Sequence, residues 1–203
     1  MENAVTSRSP AVILDELLAL KDQPDVEKAI ALCREAAKSF NSPADEPWYP
    51  VRFNLAVRLR LQSRDECEEA IDVCQELLAG LPLSAVRERA NIQSVLASAY
   101  NSRQKGNIEH NLQRAETARL AALKYFSRDV DPEQWALLNT LLGALYLDMD
   151  DRKESDVVVD AIKCFENALE VFTATANPEL HEENAGLLRE AMNKARSRRI
   201  LAD

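Results

Sequence analysis

A chain that repeats itself every forty-odd residues has few folds open to it, because each copy must make the same contacts with its neighbours. Four segments of this 203-residue sequence align without gaps: EKAIALCREAAKSF from Glu27, EEAIDVCQELLAGL from Glu68, QRAETARLAALKYF from Gln113 and VDAIKCFENALEVF from Val159. Their starts lie 41, 45 and 46 residues apart. The alignment brings Ala29, Ala70, Ala115 and Ala161 into register, and seven residues on it does the same for Ala36, Leu77, Ala122 and Ala168. A second set precedes three of the segments. It pairs Leu55-Ala56 with Leu96-Ala97 and Leu142-Gly143, and three residues after the small residue it places Leu59, Tyr100 and Tyr146. Trp48 and Trp135 each stand eight residues before the small residue, where the middle copy has Arg89.

Each copy reads as a helix A, a turn and a helix B. Apolar residues recur at i, i+3, i+4 and i+7, the spacing of a helix with one buried stripe. In the last copy these are Leu138, Leu142, Leu145 and Tyr146 on A, and Ile162, Phe165, Ala168, Leu169 and Phe172 on B. The small residues on each helix permit close A–B approach. One helix pair cannot bury its stripe alone, so the pairs must stack. The expected fold is all-α, a right-handed α-solenoid of about four helix-turn-helix units over 11–43, 46–83, 86–131 and 132–178, closed by a capping helix over 179–202. Residues 1–10 are expected to be a disordered leader. Punctuation agrees: Pro132 and Pro178 lie 46 apart at the B-to-A junctions, with Pro82 and the pair Pro43 and Pro47 in similar places. The A–B turns are expected at Ser63-Arg64-Asp65, at Lys105-Gly106-Asn107 and from Asp148 to Asp156.

These residues resemble the tetratricopeptide repeat (TPR) family, whose pattern has Trp, Leu, Gly and Tyr on helix A, Ala, Phe and Ala on helix B, and Pro at the junction. The last copy carries Leu142, Gly143, Tyr146, Ala161, Phe165, Ala168 and Pro178. The stretch DPEQWALLNTLLGALY is similar to the extended bacterial TPR arrays associated with caspase-like CHAT domains. The resemblance spans roughly 12–202 and is strongest from 88 to 178. It departs from the pattern at Cys33, Cys74 and Arg119, which replace the aromatic on helix B. It implies the fold and a protein-binding role; it implies no protease activity, because no such motif is present in the sequence.

Charge and composition narrow the function. The net charge of −9 disfavours a phosphate-binding surface, so no nucleic acid is expected. The basic run Lys194, Arg196, Arg198 and Arg199 reads as cations favourable at a helix C-terminus. No apolar run long enough to span a bilayer occurs and the N-terminus lacks a signal-peptide pattern, so a cytoplasmic chain with no membrane contact is expected. Cys33, Cys67, Cys74 and Cys164 lack CxxC spacing and read as small buried hydrophobes in a reducing environment. Cys67, at a helix start, is the one cysteine expected to be reactive. His110 and His181 do not make a zinc ligand set. The acidic stretch Asp148, Asp150, Asp151 and Asp156 lacks the Gly and terminal Glu of a calcium loop. No catalytic residue, cofactor or metal is expected, and the chain is read as a non-enzyme.

The expected function is an adaptor or scaffold that binds a peptide or helix of another protein. Helix A lines the concave face of a TPR-like stack. Its residues pointing away from helix B would be Phe53, Val57 and Arg60, then Asn91, Ser94, Ser98 and Asn101, then Leu137, Thr140, Ala144 and Leu147. Paired cations on successive A helices, the clamp some TPR proteins use for C-terminal carboxylates, are missing: Ser and Asn follow Arg58 and Arg60. The alternative is a structural subunit that self-associates through its terminal repeats as a homo-oligomer, with the apolar AVILDELLAL segment as the docking edge.

Overall fold

The structure is a computed structural model that describes residues 9, 12, 13, 15, 16, 26–45, 47–60, 62, 66–150, 157–198 and 200. Outside these lie most of the expected leader and of the AVILDELLAL helix, the Ser63-Arg64-Asp65 turn and residues 151–156 of the acidic stretch. Among the described residues the chain is all-helical, without strands. The helices are α1 (Val26–Ser39), α2 (Trp48–Leu59), α3 (Glu66–Gly80), α4 (Val86–Ser102), α5 (Ile108–Leu123), α6 (Pro132–Asp150), α7 (Val157–Leu169) and α8 (Pro178–Ser197). No helix among the described residues is long and apolar enough to cross a membrane.

Local chemistry sets the helix starts. α6 and α8 open at the two prolines, whose missing N–H costs nothing in a first turn. Asp131 caps α6 by accepting from the Gln134 N–H at 3.2 Å. Before α5, Gly106 takes a φ of 79°, a left-handed turn open to glycine. Asn107 then accepts from the His110 N–H at 3.0 Å, and buried Asn111 donates back to the Lys105 carbonyl at 2.9 Å. The helix ends are less local. α6 runs through Asp148 to Asp150, so the turn expected from Asp148 does not start there. Neither Pro nor Gly stands there to stop it.

The chain divides into two compact units, Met1–Ala85 and Val86–Asp203. In the first, α2 packs on both α1 and α3. Its core gathers Ile13, Ala29, Leu32, Ala36 and Val51, flanked by Ala37 and Phe40. Trp48 covers the end of α3: a Cβ on Gly80 would lie 2.5 Å from the indole Cη2. Arg52 is buried but well supplied. Its Nε donates to Glu76 at 2.8 Å, and its guanidinium reaches the Phe40 and Ala37 carbonyls at the C-terminal end of α1, where a cation is favoured.

In the second unit each helix from α4 to α8 packs on the next, and α6 also touches α8. The 46-residue spacing is physical here. Ala90, Ala122, Phe126 and Leu138 form one cluster. Ala136, Ala168 and Phe172, each 46 residues after one of the first three, form another, with Trp135, Val171 and Leu180 against it. Gly80 and Val171 occupy the same repeat position; Trp48 is buried against Gly80, while Trp135 is half-buried and packs on the cluster that Val171 also flanks. Ala29, Ala70, Ala115 and Ala161 are 0% exposed, as are Ala36, Leu77, Ala122 and Ala168.

The A–B contact leaves no room for a side chain at Gly143, where a Cβ would lie 2.7 Å from Cε1 of the fully buried Phe165. One turn away, the helix pairs share a polar contact in two chemistries. Arg52 meets Glu76 across α2 and α3 at 2.8 Å. At the same repeat positions Asn167 donates to the Asn139 carboxamide oxygen across α7 and α6 at 3.0 Å.

Candidate partner-binding surface

The expected surface residues fall on three helices and are described within their own units. On α2, Phe53, Val57 and Arg60 are each half-buried. Tyr49, one turn before Phe53, stacks on it with ring centroids 5.4 Å apart and an interplanar angle of 18°. Sequence reasoning omitted Tyr49, although an aromatic four residues before Phe53 must share its helix face. Arg60 caps the end of α2 and folds back, its Nη1 donating to the Val57 carbonyl at 2.7 Å. Burial lowers its pKa, with the Cys74 thiol close by.

On α4, Asn91, Ser94 and Ser98 are half-buried and Asn101 is exposed. Ser98 donates to its own helix at the Ser94 carbonyl, 3.2 Å away. Among the described residues the Asn91 and Asn101 carboxamides have no hydrogen-bond partner. This file of amides and hydroxyls can both donate to and accept from the backbone of a bound segment.

On α6 the expectation is corrected at two of four positions. Leu137 is exposed and Ala144 is half-buried, but Thr140 and Leu147 are both 6% exposed and offer no surface to a partner. Thr140 turns toward α8. Its hydroxyl lies 2.7 Å from the Asn184 carboxamide oxygen and 3.2 Å from the Ala136 carbonyl, while Asn184 donates to Leu180 at 2.8 Å. Asn184 is fully buried where the earlier A helices carry Val51, Ile92 and Leu138. That break in an apolar column was the available signal for a polar contact between helices.

The reactive role expected of Cys67 is also overturned. It is 1% exposed, and burial, reinforced by Glu68 and Glu66, raises its pKa. Burial first, and the two carboxylates with it, disfavour the nucleophilic thiolate. Cys33, Cys74 and Cys164 are likewise buried and unpaired. Burial pushes Cys74 and Cys164 up to about 12. His181 places Nδ1 2.9 Å from the Phe172 carbonyl, tying the first turn of α8 to the residues that follow α7.

Among the described residues two arginines are unlike the rest. Arg58 has its Nε buried without a hydrogen-bond partner among them and stands beside the Cys33 thiol. Arg119, at the repeat position held by Cys33, Cys74 and Phe165, is 2% exposed, with Nε and Nη1 both unpartnered among the described residues. Burial lowers its pKa to about 10, so it remains a cation at neutral pH. No family model, curated protein or solved structure matches the chain.

Proposed function

We propose that the chain is a non-enzymatic interaction module of TPR-like helix pairs, an adaptor or scaffold that takes a segment of another protein along the outward faces of its A helices. The observation that carries this reading is a division of labour along those helices. The residues of the repeat that face helix B are closed, as at Ala56, Ala97 and Gly143. The opposite file on α4 presents Asn91, Ser94, Ser98 and Asn101, its two carboxamides without a hydrogen-bond partner among the described residues. Unmade hydrogen bonds on a helix are suited to reading a peptide backbone, because the backbone that carries them is already ordered. Four free cysteines fit a reducing compartment, and the reading places the module in the cytoplasm.

The test is co-purification from the native cell with tagged wild-type chain and with the Asn101→Ala/Phe53→Ala variant. The expected outcome is that at least one stoichiometric partner is lost from the variant while its helical circular dichroism is unchanged. Recovery of every partner by the folded variant would remove these faces from the function.

A further inference from the structure

Resting on that reading, we infer that α2 selects a partner segment carrying an apolar side chain and a carboxylate about three residues apart. Tyr49, Phe53, Val57 and Arg60 follow one another at four, four and three residues, which puts them on one stripe of the helix. All four are half-buried. The upper part of the stripe is the stacked Tyr49–Phe53 pair, a rigid apolar platform that loses little side-chain freedom when covered.

The lower end is cationic. Arg60 is half-buried, burial pulls its pKa down, and among the described residues its guanidinium donates to the Val57 carbonyl and pairs with no carboxylate. A guanidinium so placed has already lost part of its hydration, and a carboxylate would restore what burial removed through a charge-assisted hydrogen bond. Charge therefore names the occupant. An acidic residue is the side chain that complements Arg60, and an apolar one complements the rings.

Geometry fixes the spacing. Phe53 and Arg60 are seven residues apart on the helix, about 10 Å at 1.5 Å per residue. An extended segment covers that distance in about three residues. The partner element is therefore a short extended stretch of the form apolar-x-x-acidic. The overall charge of −9 on this chain works against acidic ligands at long range, so the preference is expected to sharpen as salt screens that repulsion.

The test is selection of a display library of random short peptides on the full chain. The wild type is expected to enrich peptides with an apolar residue and Asp or Glu three positions on. Arg60→Glu should exchange the acid for Lys or Arg. Should Arg60→Glu fail to fold, Arg60→Gln serves: it should bind the wild-type peptides roughly tenfold more weakly, about 1.4 kcal/mol, and keep the apolar preference, whereas Phe53→Ala should lose the latter. Peptides enriched without an acidic residue, or unmoved by Arg60 variants, overturn the inference. If such peptides still respond to Asn101→Ala, the proposed function stands without it. No enrichment by the wild type sinks both. Sedimentation showing a dimer that Phe53→Ala dissociates would assign the stripe to a second copy and also overturn it.

Discussion

Arg52 and Arg119 are both buried in helix-pair interiors, and they differ in what surrounds the charge. Arg52 has a carboxylate, two carbonyls and the Trp48 ring, 5.2 Å from its guanidinium carbon. Arg119 has two buried N–H-bearing nitrogens without a hydrogen-bond partner among the described residues. A buried donor left unpaired costs about 1–3 kcal/mol, more when charged. Arg119→Met keeps most of the side-chain volume and removes the charge, so it is expected to stabilise the fold by roughly 1–3 kcal/mol. Equilibrium urea unfolding reads this directly, and a lower midpoint for the variant would show the guanidinium to be favourably engaged. The sequence was informative at this position only up to a point. The repeat alignment marked Arg119 as standing where an aromatic belongs, but an arginine on a helix can extend to water, and only the packing shows that this one does not. Cys67 failed as an expectation for the same reason. A helix start favours a thiolate, yet whether water reaches it depends on what lies over it.

At the scale of the helix pair, volume is traded across the A–B contact. Where helix B carries Phe165, helix A has lost its Cβ at Gly143; where B carries Cys74, A holds Ala56. Gly143→Ala sets two effects against each other. Helix propensity favours Ala by about 1 kcal/mol, but the added methyl would approach the Phe165 ring to 2.7 Å in a fully buried site, an overpacking cost of about 1–3 kcal/mol. The clash should win, leaving Gly143→Ala destabilised by about 1 kcal/mol. In a Phe165→Leu background the same change should become neutral or stabilising, and a double-mutant cycle with no coupling would contradict the trade. Helix identity and helix starts were legible because they are written locally, in the apolar period and in Pro132 and Pro178. The end of α6 was misplaced because Asp148 and Asp150 look like turn residues while nothing there breaks a helix. Thr140 and Leu147 were misassigned to the surface because a single unit's pattern shows which residues face helix B, not which are covered by other parts of the fold; α8 meets Thr140 through Asn184.

For the chain as a whole, the buried thiols give stability a pH dependence of definite sign. Cys33, Cys67, Cys74 and Cys164 all have raised pKa values, Cys74 and Cys164 going from 9.0 to about 12. The unfolded chain therefore releases these protons first. Their contribution is complete below about pH 9 and is lost as pH rises above it, for Cys74 and Cys164 up to about pH 12, by up to about 1.4 kcal/mol per thiol per pH unit. Arg119 acts oppositely, but only from about pH 10 upward. Urea unfolding under reducing conditions at pH 8 and at pH 10 should show this fall, and the Cys74→Ala/Cys164→Ala variant should show a shallower one. An unchanged slope would mean that the thiols titrate alike in both states. The repeat carries a hazard of its own, which the buried Asn184–Thr140 pair answers. A chain with interchangeable interior faces can close on the wrong neighbour while folding, a common failure of repeat proteins. Asn184 breaks that equivalence: set against any helix lacking Thr140, its carboxamide oxygen would be stranded out of water at a cost of about 1–3 kcal/mol. The last helix thus carries a proofreading mark, and order of assembly is encoded by one amide in a column of hydrocarbons.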